Sequence, residues 1–249
     1  MYLQKYLKYL LPLLFTVVFY SCKQQKLHTD FQAVSIDSTL AESASIEKHL
    51  APYRNKLDKT MHTVLAQSDE EFIKQQPESN LSNLVADLTL ETARKKGFSP
   101  DMCLLNFGGL RTSLPKGNIT VGKIYELMPF ENEVVVVTIS AQQFDSLIHY
   151  IIEVGGQPVS GIKIIVNKDK TYQLFDAQGN PWVKKDTYTI VTTDYLAQGG
   201  DHMNFFLQPE AYAEAGIKLR DAIIDYVKEK GKKNEHLKGK LDGRIEFIQ

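Results

Sequence analysis

The chain has 249 residues, 43% of them hydrophobic and 24% charged, and carries a formal net charge of −1 at pH 7. This is ordinary globular material, long enough for one sizeable core or two small ones. The near balance of charge excludes the basic field through which nucleic-acid binders work.

Residues 1–21 do not read as part of a core. Lys5 and Lys8 stand there without an acid, and residues 10–20 are an apolar run broken only by Pro12 and Thr16. A charged start and a short apolar run make a secretory signal, too short to span a bilayer as a helix. The run ends in Phe19-Tyr20-Ser21-Cys22. A small residue before cysteine resembles a bacterial lipoprotein cleavage site, which implies lipid on Cys22 and anchorage in the cell envelope, on the outer membrane or the periplasmic face. The alternative is a plain signal peptide cut elsewhere. With Cys22 lipidated, Cys103 is the one thiol left, and its apolar neighbours mark a small buried hydrophobe rather than a nucleophile. Residues 22–37 read as a tether and residues 38–249 as a single domain.

Residues 38–58 predict a helix, with Leu40, Ile46, Leu50, Tyr53 and Leu57 at three- and four-residue steps and Pro52 marking a kink or a break. Residues 61–66 predict a strand with His62 on its polar face. A second helix opens near Ser79 or Asn80, either of which can cap it, and stops at Gly97. Leu81, Leu84, Val85 and Leu88 form its buried stripe, while Asn83 and Asp87 share a face and demand no chemistry by themselves. Residues 102–105 read as a short buried strand that leads into Asn106-Phe107-Gly108-Gly109-Leu110-Arg111. Glycines at a strand end permit a tight turn with exposed amides, and Arg111 close by suits an anion; a surface turn with a solvated arginine is the plainer alternative.

Further on, residues 121–127 predict a helix capped by Thr120 and ended by Pro129, and residues 133–140 a buried strand. Between them Phe130 and Asn132 sit in a loop, where the aromatic ring serves as a stacking platform or fills a core. Residues 141–153 predict an amphipathic helix, with His149 off its apolar stripe. Residues 162–166 predict a strand and residues 172–182 an antiparallel hairpin or meander. The strand at 188–193 runs into Asp194-Tyr195-Leu196-Ala197-Gln198-Gly199-Gly200-Asp201, a second turn built on adjacent glycines. A carboxylate there suits a sugar's vicinal hydroxyls and Tyr195 a base face, although Asp in turns is common for local reasons. Residues 216–230 predict a helix and residues 241–247 a last strand.

Six segments in order resemble the C-terminal, substrate-binding domain of the 5′-nucleotidase family, which includes UDP-sugar hydrolases and cyclic-nucleotide phosphodiesterases. They are Glu78-Ser79-Asn80-Leu81 with Asn83, Leu84, Ala86 and Asp87; Asn106 with Gly108-Gly109-Leu110-Arg111; Gly117 with Ile119-Thr120; Pro129-Phe130 with Asn132; Val159-Ser160-Gly161; and Asp194-Tyr195-Leu196-Ala197 with Gly199-Gly200-Asp201. The resemblance implies an α+β fold, a mixed sheet covered by helices. It implies that Phe130 and Tyr195 sandwich a nucleobase, that Asp201 binds the ribose hydroxyls, that Asn106 and Arg111 contact base or phosphate, and that Gly108, Gly109, Gly199 and Gly200 shape the turns. Tyr195 stands where phenylalanine is usual, Ser82 replaces a frequent glycine, and Gln75, Gln76 and Pro77 occupy the stretch where the family tends to carry an arginine.

The resemblance also implies a partner. Family members hydrolyse phosphoesters in a separate metallophosphoesterase domain, whose Asp-x-His, Gly-Asn-His and Gly-His segments are not found among these residues. Divalent metals are therefore expected on another polypeptide, with this chain as its nucleotide-recognising half. A non-catalytic nucleotide- or nucleoside-binding lipoprotein is the alternative, and a scaffold that has lost its site is a third.

Overall fold

The computed structural model describes residues 33, 35 and 41–248; the predicted signal, Cys22, most of the tether and the first residues of the helix predicted from 38 lie outside them. The chain is α+β. Its elements in order are α1 (Ala44–Met61), β1 (Val64–Ser68), α2 (Asn80–Lys95), β2 (Met102–Leu104), β3 (Gly117–Thr120), α3 (Val121–Leu127), β4 (Glu133–Ser140), α4 (Ala141–Glu153) and β5 (Val159–Ser160). Then come β6 (Ile162–Val166), β7 (Tyr172–Asp176), β8 (Thr187–Thr193), the single turn α5 (Asp194–Ala197), β9 (Ala211–Lys218), α6 (Leu219–Lys232) and β10 (Ile245–Phe247).

Within the compact unit Leu50–Gln249, the valine run of β4 organises the architecture. Val134 and Val136 enter one core, and Val135, Val137 and Ile139 enter another. A strand apolar on both faces has to be covered on both faces. It lies inside a five-stranded mixed sheet of order β5-β2-β8-β4-β9. Residues of α2, α3 and α6 fill the core on one side, and α4 with β6 fills the core on the other. A three-stranded sheet, β10-β6-β7, and the β1-β3 pair complete the unit.

Four helices start where the sequence places a hydroxyl. Ser79, Thr120, Ser140 and Thr193 each accept a backbone N–H from the first turn that follows. Ser82, the departure from glycine, closes a reciprocal box on α2, because its Oγ accepts the Ser79 amide at 3.0 Å.

Three expectations are corrected. The helix predicted from 38–58 runs on to Met61, the strand predicted at 61–66 is Val64–Ser68, and His62 Nδ1 lies 2.7 Å from the Asp58 carbonyl as a helix-end residue. Extending a nucleated helix by a turn is cheap, and the sequence pattern does not mark its end. The apolar stripe of α1 faces water: Ile46, Leu50, Tyr53 and Leu57 are all exposed. Periodicity records a stripe and not what lies against it. Finally, the helix predicted at 216–230 begins at Leu219, because residues 211–218 form β9 instead. Alanine and glutamate disfavour strands, but pairing with β4 overrides that preference.

Candidate functional site

Three neighbouring strands deliver the candidate residues to one end of the large sheet. β2 and β8 are parallel, with Cys103 opposite Val191, so the chain leaves both in the same direction. β4 is antiparallel to β8, with Val134 opposite Thr193, so the loop before β4 opens at that same end. Asn106 follows β2, Tyr195 and Asp201 follow β8, and Phe130 and Asn132 precede β4. Crevices beyond the carboxyl ends of parallel strands are where such sheets hold ligands.

Asn106, Gly108, Gly109, Arg111, Phe130, Asn132, Tyr195 and Asp201 line one cavity of about 310 Å³. Phe130 is 39% exposed and Tyr195 45%, which excludes a core-filling role for either ring. Gly199 and Gly200 do not line the cavity; Gly199, at φ 86°, turns the chain between Tyr195 and Asp201. Larger hollows exist, such as one of about 660 Å³ beside α4. There, however, Phe144 and Tyr188 stack on each other at 3.9 Å between centroids.

A hydrogen-bonded network holds the carboxylate. Tyr195 donates its hydroxyl to Asp201 Oδ1 at 2.7 Å, and Asn106 Nδ2 donates to Asp201 Oδ2 at 2.7 Å. Tyr150 donates to the Asp201 carbonyl at 2.9 Å, Gln157 Nε2 donates to Tyr150 Oη at 3.4 Å, and the Phe107 amide donates to Gln157 Oε1 at 2.6 Å. The two glycine turns are thereby tied together. Asp201 has φ 52°, in the left-handed region that aspartate tolerates better than most residues. The hydrogen bond to Asp201 raises the Tyr195 phenol above its ordinary pKa, so this hydroxyl stays a donor.

One glycine of each pair is needed for close approach. A Cβ at Gly109 would lie 2.6 Å from Asn106 Oδ1, and one at Gly200 would lie 2.6 Å from the Tyr195 ring and carbonyl. The expectation of free amides at 106–111 is corrected: the N–H groups of Phe107, Gly109, Leu110 and Arg111 donate to Gln157, Asn106, Phe107 and Leu127. Gly200→Ala is expected to cost about 1–3 kcal/mol, as overpacking does, and to displace the Tyr195 ring. Denaturant unfolding, together with the near-ultraviolet tyrosine signal, reads both effects.

Arg111 is exposed, its Cζ 5.9 Å from the Phe130 centroid and its Nη1 3.5 Å from the Gly108 carbonyl. Sequence reasoning missed its neighbour Lys74, whose Nζ sits 4.6 Å from the Phe107 centroid. Burial, and then the charge of Arg111, depress the Lys74 pKa, as expected of two cations sharing a region. The signal was legible: Lys74 stands one place before the stretch that lacks the family's arginine. Tyr150 and Gln157 were also missed, since they act through Asp201 and Phe107.

Other singled-out residues are structural. Asp194 Oδ1 accepts the amides of Glu133 at 3.1 Å and Tyr195 at 2.8 Å, which joins the β4 and β8 loops. Cys103 is fully buried, and burial pushes its thiol pKa well up. Among the described residues no group of three or more His, Cys, Asp or Glu side chains is placed to hold a metal.

Comparison with known proteins places the fold in a family. The family described as the 5′-nucleotidase C-terminal domain matches residues 64–208. A trifunctional nucleotide phosphoesterase of Bacillus subtilis is 24% identical over 88% of this chain and 16% of its own length. A 5′-nucleotidase of Vibrio parahaemolyticus is 25% identical over 82% of this chain and 38% of its own length. The crystal structure of a 5′-nucleotidase precursor from Thermus thermophilus superposes with a TM-score of 0.67 at 27% identity, covering 81% of this chain and 43% of that one. The chain thus spans less than half the length of these relatives. With residues 64–208 matched and the fold shared, the chain belongs to the 5′-nucleotidase C-terminal domain family.

Proposed function

We propose that this chain is the nucleotide-recognition half of a 5′-nucleotidase-type phosphoester hydrolase, acting in nucleotide catabolism with a metallophosphoesterase on a separate polypeptide. The observation that carries this reading is the convergence of two exposed rings, a carboxylate and a guanidinium on one cavity of about 310 Å³, near the lower end of the roughly 300–1,000 Å³ usual for ligand sites. Phe130 and Tyr195 take the faces of the base, and Asp201 accepts from the ribose hydroxyls. Asn106 contacts the base side, and Arg111, with Lys74 close by, takes the phosphate. Divalent metals belong to the partner, where converging ligands polarise the phosphate and activate water. Lipid on Cys22 holds the pair at the cell envelope.

Titration calorimetry of AMP, adenosine and UDP-glucose into residues 23–249, without added metal, tests the recognition half. Saturable binding is expected, and no heat with any of the three overturns it. Mixing the chain with candidate metallophosphoesterases and following phosphate release tests the hydrolytic half. Binding without any gain in hydrolysis supports a nucleotide-binding lipoprotein instead.

A further inference from the structure

Phe130 lies in a short loop between α3 and β4, and its ring is 39% exposed and belongs to neither core. The Arg111 guanidinium, 5.9 Å away, is itself exposed. The loop backbone is held from elsewhere, by the β9–α6 junction. Arg220 Nη1 donates to the Phe130 carbonyl at 3.1 Å, Arg220 Nη2 and Lys218 Nζ bond the Glu131 carboxylate, and the Leu219 amide donates to the Asn132 carbonyl at 2.9 Å. Three successive residues of the junction thus grip three successive residues of the loop.

Arg220 is 4% exposed, and its guanidinium lies 4.2 Å from the centroid of the Tyr125 ring. Its buried Nε has no hydrogen-bond partner, so both ends of the planar fork are committed to the loop while the third donor is forgone. An ammonium lacks that fork and its stacking plane.

We infer that Arg220 is the positioning residue of the base-stacking platform, setting where the Phe130 ring stands by clamping the loop backbone from α6. This rests on the nucleotide reading above for its ligand, but the clamp itself is tested without one.

Fluorine NMR of residues 23–249 with fluorinated phenylalanine, the Phe130 resonance assigned by its loss in Phe130→Leu, follows the ring in the wild-type chain and in Arg220→Lys and Arg220→Met. A single narrow resonance is expected in the wild type, shifted or broadened in both variants. Arg220→Lys retains the charge and serves should Arg220→Met fail to fold. Adenosine affinity is expected to fall about tenfold in Arg220→Lys, within the range that stacking supplies. In a Phe130→Leu background the same change is expected to cost less than twofold further, because the two act through one ring. An unmoved Phe130 resonance, or an undiminished loss in the Phe130→Leu background, overturns the assignment. A resonance that moves while the wild type binds no adenosine upholds the clamp and overturns the nucleotide reading instead.

Discussion

Arg244→Ala is expected to destabilise the domain by about 2–4 kcal/mol, because it strands a carboxylate pair that the folded chain has partly withdrawn from water. Arg244 is 8% exposed. It meets Asp87 through two parallel bonds of 2.7 Å, Asp242 through its Nε at 2.8 Å and the Val159 carbonyl through Nη1 at 2.9 Å. Ser160 donates to the same Asp87 at 2.5 Å. The cost stays below that of breaking a fully buried pair, because the Asp87 side chain is 46% exposed. Urea unfolding should show a lower midpoint at unchanged slope. Removing the Arg244 and Asp87 charges together, as Asp87→Asn with Arg244→Met, should recover the part of the loss owed to Asp87 and leave that owed to Asp242.

Acid should act through the same cluster. Burial alone would raise the Asp242 pKa, but the hydrogen bonds from Arg244 and Lys240 outweigh it and hold it below the ordinary 3.8. A depressed carboxylate adds stability above its unfolded pKa and loses it as pH falls through the folded value. Wild-type stability should therefore drop below about pH 3.8, the unfolded value, and Arg244→Ala should flatten that drop.

This cluster also explains what the sequence left unread. The Glu78-Ser79-Asn80 segment and Asp87 stand out through their family resemblance, yet nothing local says what they hold. The structure makes them a staple. Glu78 accepts the amides of Asp242 and Arg244, Asn83 donates to the Lys240 carbonyl, and Asn80 binds the Glu71 carbonyl and the Ile73 amide. Arg244 lies 157 residues from Asp87, a separation across which no periodicity or cap rule reaches.

The site was more legible, because each of its side chains sits at a strand end or in a short loop beside one, where turn chemistry shows in two or three adjacent letters. β4 announced itself by its valines, and Thr193 and Gly199-Gly200 framed Tyr195. The residues that hold these in place, Tyr150, Gln157 and Arg220, lie inside helices or after them and look like ordinary helix and loop residues. β9 went unread because its strand character comes from its partner and not from its own alanines.

Phe130→Ala is expected to weaken adenosine binding by about 1–3 kcal/mol, the usual worth of one stacked base, which is roughly five- to 150-fold. The ring is 39% exposed and belongs to neither core, so its loss should cost unfolding no more than about 1 kcal/mol, and the binding loss is then mainly local. Asp201→Ala should act differently. The carboxylate already accepts Tyr195 on one oxygen and Asn106 on the other, and each oxygen keeps a further lone pair for a ribose hydroxyl. Wild type should therefore favour adenosine over 2′-deoxyadenosine, and Asp201→Ala should bind the two alike, with the Tyr195 ring released as well. Tyr195→Phe keeps the ring and the carboxylate, so it should cost less than Asp201→Ala and retain the preference for the 2′-hydroxyl. Calorimetric titration of both nucleosides into the four proteins separates these contributions. A sugar preference that survives Asp201→Ala would move the ribose away from this carboxylate while the stacking on Phe130 and Tyr195 is judged by Phe130→Ala.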